Sequence, residues 1–161
     1  MKMVAAWLGA GLAVSLDQLT KAAAFKVVAS HGVIHVAPFL NITSSLNTGV
    51  AFGFATKGDP ILLIAVATTI VTGVLVMIVR AARPLCRTAL GMILGGGLAN
   101  IADRLRFGAV RDFVDLHWSG LHWPTFNLAD AFLGIGVVIV LIAGDPSNAK
   151  SKPRASREGD Q

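Results

Sequence analysis

Nine acidic residues are scattered through this chain of 161, and several fall where the surrounding sequence is almost wholly apolar. Asp17 and Lys21 interrupt the first apolar stretch, Asn100, Asp103 and Arg104 end the third, and Asn127 and Asp130 open the last. An ionisable side chain in such surroundings is costly and marks function by default. Asp17 and Lys21 are four apart, as are Asn100 and Arg104, while Asn127 and Asp130 are three apart, so each set can share one helix face. Asp112, within Val110-Arg111-Asp112-Phe113-Val114-Asp115, lies eighteen residues before Asp130. The chain can leave one helix, run along an interface and enter the next between them, so the two carboxylates can meet. Two carboxylates held close cannot both ionise easily. Such a pair can hydrolyse an amide: one activates a water, the other gives a proton to the carbonyl oxygen. Spacing alone leaves Asp17, Asp103 and Asp115 as competitors. Ion pairs that lock a bundle, Lys21 with Asp17 and Arg104 with Asp103, are an equal reading of those four. That reading fits Asp130 less well, because no basic residue lies beside it on its helix.

Other chemistries find little support. There is no His-Glu-x-x-His, and Ser15, Ser44, Ser45 and Ser119 lack a nucleophile's setting. His31 and His35 are four apart and His117 and His122 five, which reads as exposed loop histidines rather than a metal site. Gly95-Gly96-Gly97 sits inside an apolar helix, against a phosphate loop; it lets a neighbour or a substrate backbone approach closely. The single cysteine, Cys86, permits no internal disulfide and reads as a small apolar residue in a basic loop.

The elements that must position these groups are membrane helices. Hydrophobic residues make up 54% and charged ones 14%, against about 25% charged in ordinary soluble domains. This excludes a soluble binding module. The net charge of +5 lies in short loops and the tail, where it sets topology, and does not imply nucleic acid. The sequence predicts one four-helix membrane domain over 1–145, an all-α fold with helices at about 3–25, 60–80, 88–105 and 125–144, and a disordered basic tail over 146–161. Asp59 and Pro60 make a helix start. Of the loops, 26–59 carries β-prone runs, Val33 to Val36 and Phe39 to Thr43, which predict a small sheet on the outer surface. Loop 106–124 carries Trp118 and Trp123, suited to the headgroup belt. Eight basic residues on one side against four on the other put both termini in the cytoplasm. Asp130 then lies about 8 Å below its helix start, and three helices place polar groups at a similar depth near the outer face. A cleavable secretory leader is the minor alternative for the first stretch. A proton-conducting relay and a scaffold are the rival functions, the former disfavoured by the bare second helix.

Five blocks in order carry a resemblance: Asp17-Gln18-Leu19-Thr20-Lys21; Asn47-Thr48-Gly49-Val50-Ala51-Phe52-Gly53; Gly95-Gly96-Gly97-Leu98-Ala99-Asn100-Ile101-Ala102-Asp103-Arg104; Val110 to Asp115; and Phe126-Asn127-Leu128-Ala129-Asp130. On a four-helix hydropathy pattern, these resemble the lipoprotein signal peptidases, signal peptidase II, which are intramembrane aspartic proteases. The resemblance implies Asp112 and Asp130 as catalytic dyad. It implies substrate-binding or supporting roles for Asp17, Lys21, Asn47, Gly49, Asn100, Asp103, Arg104, Asn127 and Ala129. The family removes signal peptides from bacterial prolipoproteins after a diacylglyceryl group is attached, cutting just before the lipid-bearing cysteine. It implies a monomer in the bacterial cytoplasmic (inner) membrane, multi-pass, with its site toward the extracytoplasmic face. Its partners are the lipidated substrate and membrane lipid; no metal, cofactor or covalent intermediate is required. The glycine block departs slightly from the family's Gly-Gly-Ala-x-Gly-Asn, and Arg111 is a local variation whose charge would lower the pKa of Asp112 if it turned toward it.

Overall fold

The computed structural model describes residues 3–49 and 60–143. It contains four helices, α1 (Val4–His31), α2 (Pro60–Arg80), α3 (Pro84–Phe107) and α4 (Leu128–Ala143). Four strands form one antiparallel sheet at one end of the bundle, in the order β1 (Ile34–Ala37), β2 (Leu40–Asn47), β3 (Val110–Trp118) and β4 (Leu121–His122). The N-cap expected at Asp59 and the tail over 146–161 lie outside the described residues.

Helix α3 is central and packs on α1, α2 and α4. Its contact with α1 is close because both helices present small residues. The buried stripe of α1 runs Ala6, Gly9, Ala10, Ala13, and then continues as Asp17, Lys21 and Ala24. A side chain at Gly91 or Gly95 would collide with the Ala6 and Ala10 carbonyls, so the backbones meet as in small-x-x-x-small packing. The same stripe that brings the helices together thus delivers Asp17 and Lys21 into the bundle. Large apolar side chains face outward instead: Leu8, Leu12 and Leu19 on α1, and Ile61, Ile70 and Val79 on α2, are all exposed. Of the described helices, those over Ile61–Arg80 and Pro84–Phe107 are long and apolar enough to cross a membrane, and α4 is a shorter apolar helix.

Several boundaries differ from the sequence expectation, each for a local reason. Helix α1 runs on to His31, where Gly32, at positive φ, ends it and donates its N–H to the Val28 carbonyl. Helix α3 begins at Pro84, a residue suited to a first turn, and closes on left-handed Gly108 with an N–H to the Arg104 carbonyl. Cys86 is therefore a buried helix residue rather than part of a loop. Helix α4 starts at Leu128 because Phe126 pairs with Val114 of β3 and Asn127 caps. The sheet also draws on more sequence than the first loop: β3 and β4 come from the segment read as an interfacial loop.

Candidate active site

The site forms where the sheet meets the helix ends, and two irregularities in the sheet frame it. Ile42 pairs with Val114 and Ser45 with Asp112, so β2 carries an extra residue between these pairs. On β3 the Phe113 and Val114 N–H groups both donate to the Phe126 carbonyl, at 3.1 and 2.9 Å. Bulges of this kind re-aim side chains. Here they flank Asp112, which is 1% exposed. Its Oδ2 accepts from Asn47 Nδ2 at 3.0 Å and its Oδ1 from Asn127 Nδ2 at 2.6 Å. Asn47 is held by the Gly49 N–H, which donates to its Oδ1 at 2.8 Å, and Gly49 has the positive φ that this tight loop needs.

Asp130 is positioned by helix capping. Asn127 Oδ1 accepts the Asp130 N–H at 3.1 Å, and Asp130 Oδ2 accepts the Asn127 N–H at 3.1 Å. This is a reciprocal capping box built from Asn and Asp. Asp130 Oδ1 also accepts from Asn100 Nδ2 at 2.9 Å. One residue, Asn127, therefore touches both carboxylates: Asp112 through its side-chain amide and Asp130 through its backbone N–H.

Behind this pair lies an ionic group. Lys21 Nζ is 2.8 Å from Asp17 Oδ2 and 3.1 Å from Asp103 Oδ2, and all three side chains are fully buried. Lys21 also donates to Asn100 Oδ1 at 2.9 Å, so Asn100 connects the ionic group to Asp130. Asp17 Oδ1 accepts the Ala129 N–H at 2.8 Å. That bond ties the first turn of α4 to α1, one residue before Asp130.

One sequence expectation is corrected. Arg104 does not pair with Asp103: its NH1 donates to the Asn100 carbonyl at 3.3 Å. The guanidinium on Asp103 is that of Arg111, at 2.8 Å. Arg111 thus turns away from Asp112, although the two are adjacent. Sequence reasoning also missed Gln18, whose Nε2 donates to Asp103 Oδ1 at 3.0 Å; its place beside Asp17 was the available signal.

Burial pushes Asp112 up to about 6, reinforced by the negative charge of Asp130 and opposed by the hydrogen bonds from Asn47 and Asn127. Near pH 6 it can give or take a proton. Asp115, three residues on, behaves oppositely: hydrogen bonds from His122 and Asn41 hold it below the usual carboxylate range. Its oxygens bond His122 Nδ1 at 2.7 Å and Asn41 Nδ2 at 2.9 Å, which removes it as a competitor for the pair. Two openings adjoin the site. A largely apolar cavity of about 160 Å³ runs between α2, α3 and α4, past Gly97, Asn100 and Arg104. A polar one of about 350 Å³ lies against Asn47, Pro124 and Thr125.

A family model described as signal peptidase (SPase) II matches residues 10–144. The chain belongs to the signal peptidase II family. Among its signal peptidase II relatives, the lipoprotein signal peptidase of Burkholderia thailandensis is 41% identical over 144 residues, 86% of each chain. That of Syntrophotalea carbinolica is 39% identical over 141 residues, 83% of this chain and 86% of the relative. A bacterial membrane enzyme solved by the in meso method at 2.3 Å shares the fold seen here, with a TM-score of 0.72 and 33% identity over 91% of this chain and 92% of that one.

Proposed function

We propose that this chain removes signal peptides from diacylglyceryl-modified bacterial prolipoproteins, cutting just before the lipidated cysteine with a water activated by Asp112 and Asp130. The observation that carries the dyad is Asn127, which donates to Asp112 at 2.6 Å and shares a capping box with Asp130. Asp112, raised to about 6, is the member that supplies a proton. In the reaction, water attacks the scissile carbonyl carbon and loses a proton to Asp130. The carbonyl oxygen takes the proton of Asp112, giving a tetrahedral diol. On collapse the C–N bond breaks, the leaving amine takes the proton from Asp130, and a diol hydroxyl returns one to Asp112. Asn47 and Gly49 suit backbone hydrogen bonding to an extended substrate, and the cavity past Arg104 suits a chain entering from lipid. No step needs a metal, a cofactor or a covalent intermediate.

The protein is a bacterial membrane enzyme, and the proposal extends this to four crossings with both termini cytoplasmic. Helix α1 spans 28 residues, about 42 Å at 1.5 Å per residue, against about 30 Å of hydrocarbon. It can cross and still lift the sheet clear of the core. Exposed Leu8, Leu12, Ile61, Ile142 and their neighbours suit contact with acyl chains, and Trp118 and Trp123, both exposed, suit the outer headgroup layer. The site then lies at the extracytoplasmic interface. The test is cleavage in proteoliposomes of one prolipoprotein with and without its diacylglyceryl group. Processing of the lipidated form alone is expected; equal processing of both, or of neither, rules the reading out.

A further inference from the structure

Asp112 sits on a strand whose ladder is interrupted on both sides, so something other than the ladder must fix its height against the helices. The residue before it does so. Successive strand side chains leave on opposite faces, and Arg111 projects away from Asp112 toward α1 and α3. Its NH2 donates to Asp103 Oδ1 and to Gln18 Oε1, both at 2.8 Å, and its Nε to Asp103 Oδ2 at 3.3 Å. Its backbone N–H donates to the same Asp103 oxygen at 3.0 Å. The guanidinium lies 4.4 Å from the centroid of the Phe107 ring, and the side chain is only 12% exposed. A lysine could satisfy one of these partners but not the planar set.

We infer that Arg111 is a positioning residue for the reaction: its guanidinium clamps β3 to Gln18 of α1 and Asp103 of α3 and so sets the Asp112 carboxylate against Asp130. This rests on the dyad reading above. Displacement of a reacting group by about 1 Å can cost about a hundredfold in rate, and Asn47 and Asn127 each hold Asp112 by one amide bond. Charge follows the same geometry. Asp17 and Asp103 are balanced by Lys21 and Arg111. Without Arg111 the group carries one excess negative charge. Among the described residues, the charged groups that face Asp112 are Lys21 from α1 and Asp130 from α4, with Asp103 of α3 behind Lys21, while β2 offers neutral Asn47.

The experiment compares purified wild type, Arg111→Met, Arg111→Lys and Asp112→Asn in one detergent. It measures kcat and KM on a diacylated prolipoprotein from pH 5 to 9, with the melting temperature of each variant. Arg111→Met is expected to lower kcat by about ten- to a hundredfold with KM little changed. The alkaline limb of its pH profile moves up, since weaker donors and an excess negative charge both favour protonated Asp112. Arg111→Lys restores the position of the limb but not the full kcat, because it returns the charge without the fork. A merely structural role would lower the melting temperature and active fraction and leave the limb in place, and that result overturns the inference. So does wild-type kcat in Arg111→Met. If Arg111→Met does not fold, Arg111→Lys carries the test: a lower kcat per active molecule at an unchanged melting temperature supports the clamp, and wild-type kcat, or a loss explained by a lower melting temperature and active fraction, overturns it. If Asp112→Asn still cleaves, the dyad reading itself fails; if it is inactive while Arg111→Met behaves as wild type, only the clamp fails.

Discussion

Two groups of acids stand side by side in this protein, joined through Asn100, and they keep different company. Asp17 and Asp103 are bonded to Lys21 and Arg111, cation for anion, within 3.1 Å. Among the described residues, Asp112 and Asp130 are bonded only to amides: Asn47, Asn100, Asn127 and a backbone N–H. The paired acids each have a cation in direct contact. The amide-bonded ones are met by neutral donors instead, the setting that the proposed proton transfer needs. Residue type is the same in both groups; the partner decides the role.

The comparison can be broken most forcefully at Lys21. Lys21→Met leaves two buried carboxylates short of a cation, and removal of one partner of a buried ion pair costs about 3–5 kcal/mol. A melting curve in detergent is expected to show a large loss of stability, larger than for either dyad substitution. If Asp112→Asn proves the more damaging to folding, the division into two groups is wrong.

A smaller effect separates the groups by pH. The folded pKa of Asp112 is raised from 3.8 to about 6. Its contribution is therefore fully present below pH 4 and is lost as pH rises through 6, by about 3 kcal/mol in all. The stability of Asp112→Asn relative to wild type is expected to improve steadily between pH 4 and 7. A flat difference would mean that Asp112 is not raised. The same ionisation makes kcat/KM fall on the alkaline side, since the dyad needs one proton.

Asn127→Ala removes the side-chain amide that donates to Asp112 and accepts the Asp130 N–H, while keeping both acids. It is expected to cost about 1 kcal/mol through the lost cap and activity by about a hundredfold, a kinetic loss far out of proportion to the thermal one. Equal loss of both would make Asn127 a cap and nothing more.

The smallest effect is at Asp115, the one acid among the described residues outside both groups. His122 is 56% exposed in its side chain, so His122→Ala should change stability by less than about 1 kcal/mol. Asp115 is held below 3.8, so that contribution is present above pH 4 and disappears on further acidification. Thermal melts of His122→Ala at pH 7 and pH 3 check both points.

Much of this arrangement was legible from spacing. Asp17 and Lys21 share a helix face and do pair. Asn127 and Asp130 are three apart, the separation of a capping box, which the structure contains. The mistaken partner of Asp103 was also detectable: adjacent residues on a helix do not face each other, so Arg104 was poorly placed for it. What spacing could not supply was tertiary. The approach of β3 to α3 after Gly108 brings Arg111 to Asp103, and no local pattern encodes that meeting. The bulges beside Asp112 depend on the register against β2 and Phe126, which alternation alone does not fix. The first loop signalled its strands through β-branched runs, whereas the tryptophans of the second drew attention to the membrane interface and concealed β3 and β4.

The central claim is that Asp112 and Asp130 form the reacting pair, and one comparison tests it most directly. Wild type, Asp112→Asn and Asp130→Asn are purified in the same detergent, their melting temperatures recorded, and their cleavage of a diacylated prolipoprotein followed by gel shift. Both variants are expected to remain folded and to lose at least about a thousandfold in cleavage rate. Substantial cleavage by either folded variant would contradict the claim.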